Sequence, residues 1–241
     1  MEMGTYSEDR VIIFDWDDTL IPSTWLKKNG FIIDSYASEI TTEMIRMCKS
    51  VEPHVLALLE VAKTYGKVLI VTNGTKSWVE MSTRLFFPNI SNIILSLTIL
   101  SGPDLYDNYT SNPNCWKQYV FQNEVLMYSF PNYSTNQRTI ISIGDGYAER
   151  LALQSVMTRD TVCSILKKSV KFMEQSSPTL LIEQLVCTLI ELKGIIESLE
   201  PMDHQWEFLE SPVSPKLQTY SEIPRISTRV ESFTLTDTCQ N

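Results

Sequence analysis

The sequence predicts an α/β domain built on a parallel sheet, and two observations carry that expectation. Short apolar runs alternate with segments whose apolar residues recur at helical spacing, which is the order of βαβ units. The runs are continuous, Val11-Ile12-Ile13-Phe14 and Val68-Leu69-Ile70-Val71 among them, as strands covered on both faces require. In an open sheet of this kind ligands bind outside the carboxyl ends of the strands, so the residues that follow each run are the first candidates for a site.

In chain order, strands are expected at Val11–Phe14, Lys67–Val71, Asn92–Leu95, Thr139–Ile143 and Thr161–Ile165. Helices are expected around Tyr36–Lys49, Pro53–Tyr65, Trp78–Phe86, Trp116–Tyr128 and Ala148–Met157, with right-handed connections between strands. Pro53 suits a first helical turn, and Gly66 suits the position that ends a helix. Pro178–Leu199 carries an amphipathic stripe too short for several coiled-coil heptads, so it reads as a helix packed on the sheet. From Pro201 the apolar periodicity fades and Ser, Thr, Pro and charged residues take over. The expected division is a domain over residues 1–199 and a mostly disordered tail over residues 200–241. Trp206, Phe208 and Leu209 form an apolar knot at its start, which docks back on the domain or serves as a partner motif; docking is the preferred reading.

Composition narrows the class. The chain has 43% hydrophobic and 20% charged residues, as soluble globular proteins do. No run approaches the roughly 18 apolar residues of a membrane span. The acidic, polar N-terminus is no signal peptide, and the first strand follows almost at once, so a cytoplasmic protein is expected. A net charge of −9 argues against nucleic-acid binding, which needs a basic face. Five scattered cysteines without C-x-x-C spacing suggest neither a zinc site nor a disulfide framework, and reduced thiols are expected.

Four places could carry chemistry. Asp15 and Asp17 stand two apart after the first strand, followed by Thr19; such a pair suits a nucleophile and a proton donor on either side of one metal ion, or simply an Asp-rich turn. Thr72 ends the second strand, where its hydroxyl could reach a phosphate oxygen or cap the next helix, and Gly74 permits close backbone approach. Lys117 is the only lysine between Ser77 and Gly144 and opens the helix expected at Trp116–Tyr128; the alternative is a solvated surface lysine. Thr139–Ile143 runs into Gly144-Asp145-Gly146, with a second acid at Glu149; hard cations such as Mg²⁺ favour such oxygen ligands. A turn capping a helix would leave Glu149 unexplained.

These elements, in this order, resemble the four motifs of the haloacid dehalogenase superfamily, phosphatase branch. Asp15-Trp16-Asp17-Asp18-Thr19 matches D-x-D-x-T, Thr72 the second motif, Lys117 the third, and Gly144–Glu149 the G-D-G-x-x-D form with Glu in place of Asp. The resemblance spans about residues 11–157. It implies a Rossmann-like three-layer α/β/α domain with a small helical cap at most. It also implies a Mg²⁺-dependent phosphomonoester hydrolase working through an aspartyl-phosphate. Asp15 would be the nucleophile and Asp17 the acid and base. Mg²⁺ would be held by Asp15, the Asp17 carbonyl and Asp145, with Glu149 binding through water or orienting a ligand. Trp16, Asp17, Thr72, Asn73 and Lys117 would cradle the phosphoryl group. Dehalogenation is disfavoured because halide leaves without the proton Asp17 would supply. A phosphotransferase or mutase of the same superfamily, or a silent scaffold, are the alternatives.

Two slots could hold a cap, Leu20 to Lys67 with about two helices and Trp78 to Cys115 with a helix, a strand and a loop. A site so lightly capped tolerates bulky phosphorylated substrates, phosphoproteins included. Trp25, Trp78 and Trp116 lie near motif ends, where they could line a pocket or pack in the core. The Ser211-Pro212 and Ser214-Pro215 steps point to a tail regulated by proline-directed phosphorylation or by a partner.

Overall fold

A computed structural model describes residues 9–32, 39–130, 137–157 and 164–208. The strands are β1 (Arg10–Phe14), β2 (Lys67–Thr72), β3 (Thr98–Ser101), β4 (Arg138–Gly144), β5 (Ile165–Lys171) and β6 (Met202–Gln205). They form one six-stranded sheet in the order β3-β2-β1-β4-β5-β6, every pairing parallel. This is the Rossmann-like order, in which the strand sequence reverses between β1 and β4 and opens a crevice at their carboxyl ends.

The helices are α1 (Ser23–Lys28), α2 (Thr42–Tyr65), α3 (Lys76–Phe86), α4 (Ser91–Leu95), α5 (Gly102–Tyr106), α6 (Pro113–Tyr119), α7 (Leu126–Ser129), α8 (Tyr147–Ser155) and α9 (Pro178–Glu197), with a π-helical stretch, Val120–Val125, joining α6 to α7. Alternate residues of a strand face opposite sides of its sheet. Ile12 and Phe14 therefore enter a core with Val55 and Leu58 of α2, Val79 of α3 and Leu185 of α9. Val11 and Ile13 enter a second core with Val120, Phe121 and, from α8, Ala152 and Leu153. Both faces of β1 are covered, which is why its sequence is apolar throughout. Each such side chain contributes about 1.5–3 kcal/mol of burial.

Several expectations are corrected. Asn92–Leu95 is not a strand but part of α4, and the strand follows at β3. A short apolar run has no periodicity to separate the two states. Here the buried Glu52 carboxylate decides, accepting from the Asn89 backbone N–H at 2.8 Å and the Ile90 N–H at 3.3 Å at the turn that starts α4. Pro53 does not open a helix. The two helices expected at Tyr36–Lys49 and Pro53–Tyr65 are one, α2, with Pro53 inside it, because packing against α9 and the sheet outweighs the lost backbone bond; residues 36–38 lie outside the described set. Gly66 ends α2, but with φ −179°, an extended conformation open to any residue. Glycine is needed there for space, since a Cβ would stand 2.6 Å from the Arg10 carbonyl oxygen.

The fifth strand runs Ile165–Lys171, later than expected, and residues 161–163 lie outside the described set. Lys168 disguises it. This lysine is fully buried, and its ammonium donates to the carbonyls of Ile195 at 2.6 Å, Ile196 at 3.0 Å and Ser198 at 2.6 Å, where α9 ends. The domain also extends past residue 199. β6 pairs with β5 at the sheet edge, and Trp206 docks in the core with its indole N–H donating to Thr188 Oγ1 at 2.9 Å. Phe208 packs against the same core, while Leu209, Ser211 and Ser214 lie outside the described residues.

The first cap slot, Leu20 to Lys67, is described except for residues 33–38. Among its described residues α2 belongs to the layer on the sheet, and α1 and the turn that carries Phe31 stand outside that layer. Cys48 and Cys187 are free thiols, and burial pushes that of Cys48 up to about 12. Cys115 is disulfide-bonded, against the expectation of reduced thiols, since the fold and not the spacing decides which cysteines meet. Among the described residues no helix is long and apolar enough to cross a membrane.

Candidate functional site

The crevice between β1 and β4 gathers most of the predicted residues. Asp15 is the first residue beyond β1, and its backbone N–H still donates to the Ile143 carbonyl of β4 at 2.9 Å. The chain then turns sharply. The N–H groups of Leu20 and Ile21 return to the Trp16 carbonyl at 3.0 and 3.1 Å, and Asp18 adopts φ 53°, a left-handed conformation Asp tolerates. Asp18 Oδ1 accepts from the Thr24 N–H at 2.8 Å, tying the turn to α1. The Trp16 indole points away from the crevice, fully buried and donating to Ser82 Oγ at 3.1 Å. Trp16 can therefore serve a ligand through its backbone only. Among the described residues, the backbone N–H groups of Trp16 and Asp17 donate to no protein group.

Lys117 is no surface lysine. It is 2% exposed, donates to Asp15 Oδ1 at 2.6 Å, and pairs with Glu149 Oε1. Its place in the helix is corrected: α6 begins at Pro113, capped by Asn112, so Lys117 lies a turn inside and reaches the site by its own length. Glu149 comes from the first turn of α8 and folds back over the Gly-Asp-Gly turn. Gly144 is required for this, and Gly146 leaves room for the end of the Glu149 side chain. A Cβ on Gly144 would stand 2.5 Å from Glu149 Cγ, and one on Gly146 would stand 2.8 Å from Glu149 Oε2. That second oxygen is buried without a hydrogen-bond partner.

On the other side, Thr72 is buried at the end of β2, and its Oγ1 accepts the Gly74 N–H at 2.9 Å. This leaves the hydroxyl proton for another acceptor. Thr72 does not cap α3; Thr75 does, accepting from the Trp78 N–H at 3.1 Å. Asn73 donates through Nδ2 to the Pro113 carbonyl at 3.3 Å, and its Oδ1 is buried without a partner. A Cβ on Gly74 would stand 3.2 Å from Asp17 Oδ2 and 3.3 Å from Thr72 Oγ1, so the β2 loop lies against Asp17.

Burial and charge set the protonation of the group. Burial, with Glu149, Asp145 and Asp17 adding to it, holds the Asp15 carboxyl well above the usual range, against the pull of Lys117. Burial opposes the charge on Glu149, but Lys117 outweighs it, and the Glu149 pKa lies below its ordinary value. Burial likewise opposes the Lys117 ammonium, but the two carboxylates keep its pKa above normal. Asp145 is pushed up to about 7 by burial, Glu149 and Asp18, against Lys117 and Lys171. At Asp15 and Asp145 burial, with neighbouring carboxylates adding to it, outweighs the pull of the lysines, whereas at Glu149 the pull of Lys117 prevails. Among the described residues, no three His, Cys, Asp or Glu side chains gather closely enough to hold a metal ion.

Two residues at the site were not foreseen as part of its machinery. Trp78, 2% exposed on α3, donates its indole N–H to Asp17 Oδ1 at 2.9 Å. Lys171, 5% exposed, donates to the Asp145 carbonyl at 2.7 Å and pairs with Glu174 at 3.3 Å. The sequence carried no signal for the second, since Lys167, Lys168 and Ser169 precede it in β5. Trp25 packs at the edge of the first core, and Trp116 donates to the Thr110 carbonyl at 2.9 Å. No protein-family model matches the chain, and neither a curated protein nor a solved structure matches it.

Proposed function

We propose that the chain is a Mg²⁺-dependent phosphomonoester hydrolase of the haloacid dehalogenase type, acting through an aspartyl-phosphate on Asp15. The observation that carries this reading is the Lys117–Asp15 contact of 2.6 Å, made at the strand-order reversal by a residue 102 positions away. A buried ammonium there works against protonation of the Asp15 carboxyl and would offset charge on a transferring phosphoryl group.

The chemistry divides into two halves. An Asp15 oxygen attacks phosphorus in line as the bond to the leaving oxygen breaks, and Asp17 gives that oxygen a proton. Water then attacks the phosphorus, the bond to Asp15 breaks, and Asp17 takes the water proton back. Thr72 and the backbone N–H groups of Trp16 and Asp17 are the donors available to the phosphoryl oxygens. Glu149 holds Lys117 in place and takes no part in proton transfer.

The donor set suits Mg²⁺ in kind: two carboxylates, Asp15 and Asp145, with the Asp17 carbonyl and water, a set that needs no third acidic side chain. The raised pKa values of Asp15 and Asp145 support this fit, because carboxylates forced together by burial gain from a cation among them. Such an ion would supply charge neutralisation at the nucleophile and the phosphoryl group. A small cap, as the resemblance implies, suits a bulky substrate such as a phosphoprotein.

Phosphate release from p-nitrophenyl phosphate tests the reading. The expected result is turnover with Mg²⁺ that is lost in EDTA and in Asp15→Asn. Equal turnover in Asp15→Asn, or none in folded wild-type protein with Mg²⁺, would overturn it.

A further inference from the structure

Resting on the hydrolase reading above, we infer that Trp78 is the positioning residue for Asp17, fixing the orientation of the carboxyl that serves the leaving group. The indole N–H donates to Asp17 Oδ1 at 2.9 Å from a side chain only 2% exposed, so the donor is shielded from water. An indole N–H is a donor only. The oxygen it binds must accept, so Oδ1 is committed to the indole and Oδ2 is the oxygen left to face a ligand. That oxygen faces the end of β2, where a Cβ on Gly74 would stand 3.2 Å from it and 3.3 Å from Thr72 Oγ1. Trp78 thus turns Oδ2 toward the end of β2, the side on which Thr72 lies.

The ring is well fixed. Its residue sits in the first turn of α3, whose cap Thr75 accepts the Trp78 backbone N–H at 3.1 Å. Phe31 packs on it at 5.8 Å between ring centroids, and Phe86 backs Phe31 at 5.3 Å. Core packing alone does not demand a carboxylate partner. The other two fully buried indoles, Trp16 and Trp206, donate to the neutral hydroxyls of Ser82 and Thr188. Trp78 is the member of this set that meets an acid.

Leaving-group dependence separates positioning from packing. An alkyl phosphomonoester needs a proton on its departing oxygen, whereas p-nitrophenolate leaves without one. In Trp78→Phe, kcat/KM for the alkyl ester is expected to fall about ten-fold, the scale of one hydrogen bond to a charged group, while that for p-nitrophenyl phosphate changes less than about two-fold. Ser82→Ala, which disturbs the same helix without touching Asp17, is expected to show no such difference between substrates. Equal losses on both esters in Trp78→Phe would overturn the inference and leave the hydrolase reading standing. Wild-type protein that hydrolyses neither ester would overturn both. If Trp78→Phe does not fold, 3-benzothienylalanine placed at position 78 keeps the ring shape, removes only the N–H, and decides the question in the same way.

Discussion

At the scale of single residues, the site is a problem in charge. Asp15, Glu149 and Lys117 are each at most 6% exposed, and the ammonium contacts both acids. Removing one partner of a buried ion pair strands the others, at about 3–5 kcal/mol. Lys117→Met is therefore expected to lower stability to guanidinium by that order and to abolish turnover, whereas a surface lysine would do neither. Asp145 gives a pH signature. Its pKa rises from 3.8 unfolded to about 7 folded, so below 3.8 both states are protonated and nothing is lost. As pH climbs to about 7 the unfolded chain sheds the proton first, and stability falls. In EDTA, Asp145→Asn is expected to be more stable than wild type near pH 8 by about 2 kcal/mol, a figure discounted for partial exposure, with the gain vanishing near pH 4. Calorimetric melts at the two pH values check this; a constant difference would contradict it. Asp15, Lys117 and Asp145 were legible because strand ends and motif order single them out. Trp78 was not legible as a partner of Asp17, because a tryptophan at helical spacing reads as core and the direction of its N–H is a tertiary fact.

At the scale of elements, glycines and buried lysines do what periodicity cannot announce. Gly144→Ala is expected to displace Glu149 from Lys117 and reduce turnover at least about ten-fold with the fold intact, read from kinetics beside circular dichroism; unchanged kinetics would contradict the role given to the turn. Lys168 sits mid-strand in β5, yet closes three carbonyls where α9 ends. Lys168→Met is expected to lower unfolding free energy by about 1–3 kcal/mol without altering kcat/KM, measured by urea titration and steady-state kinetics. Charges inside β5 blurred that strand in the sequence. Likewise Asn92–Leu95 was misread because a buried carboxylate forty positions upstream, roughly, decides its conformation.

At the scale of the whole molecule, the sheet order places the ends of β1 and β4 at the reversal, and the ends of β2 and β5 on either flank. Thr72 and Lys171 then reach the same crevice as Asp15 and Asp145. Alternating strand and helix signals made this architecture readable from the first fifteen residues onward. The sheet's last strand was not readable, because Met202-Asp203-His204-Gln205 has no apolar pattern. It is held by main-chain pairing, by the 2.8 Å contact of Arg150 with Asp203, and by the buried Trp206 that follows. A chain ending at residue 199 is expected to be several kcal/mol less stable than one ending at 208, since burying a tryptophan alone is worth about 3–5 kcal/mol. Equal melting temperatures for the two would contradict the assignment of β6 and Trp206 to the folded domain.

The central claim is that Asp15 carries the phosphoryl group. Asp17→Asn protein mixed with p-nitrophenyl phosphate and Mg²⁺ needs no acid for the first half but lacks the base for the second, so the intermediate should accumulate. Acid quenching followed by peptide mass spectrometry is expected to find a phosphoryl adduct on Asp15, absent in Asp15→Asn. Phosphate released with no adduct on Asp15, or an adduct on another residue, would contradict the claim.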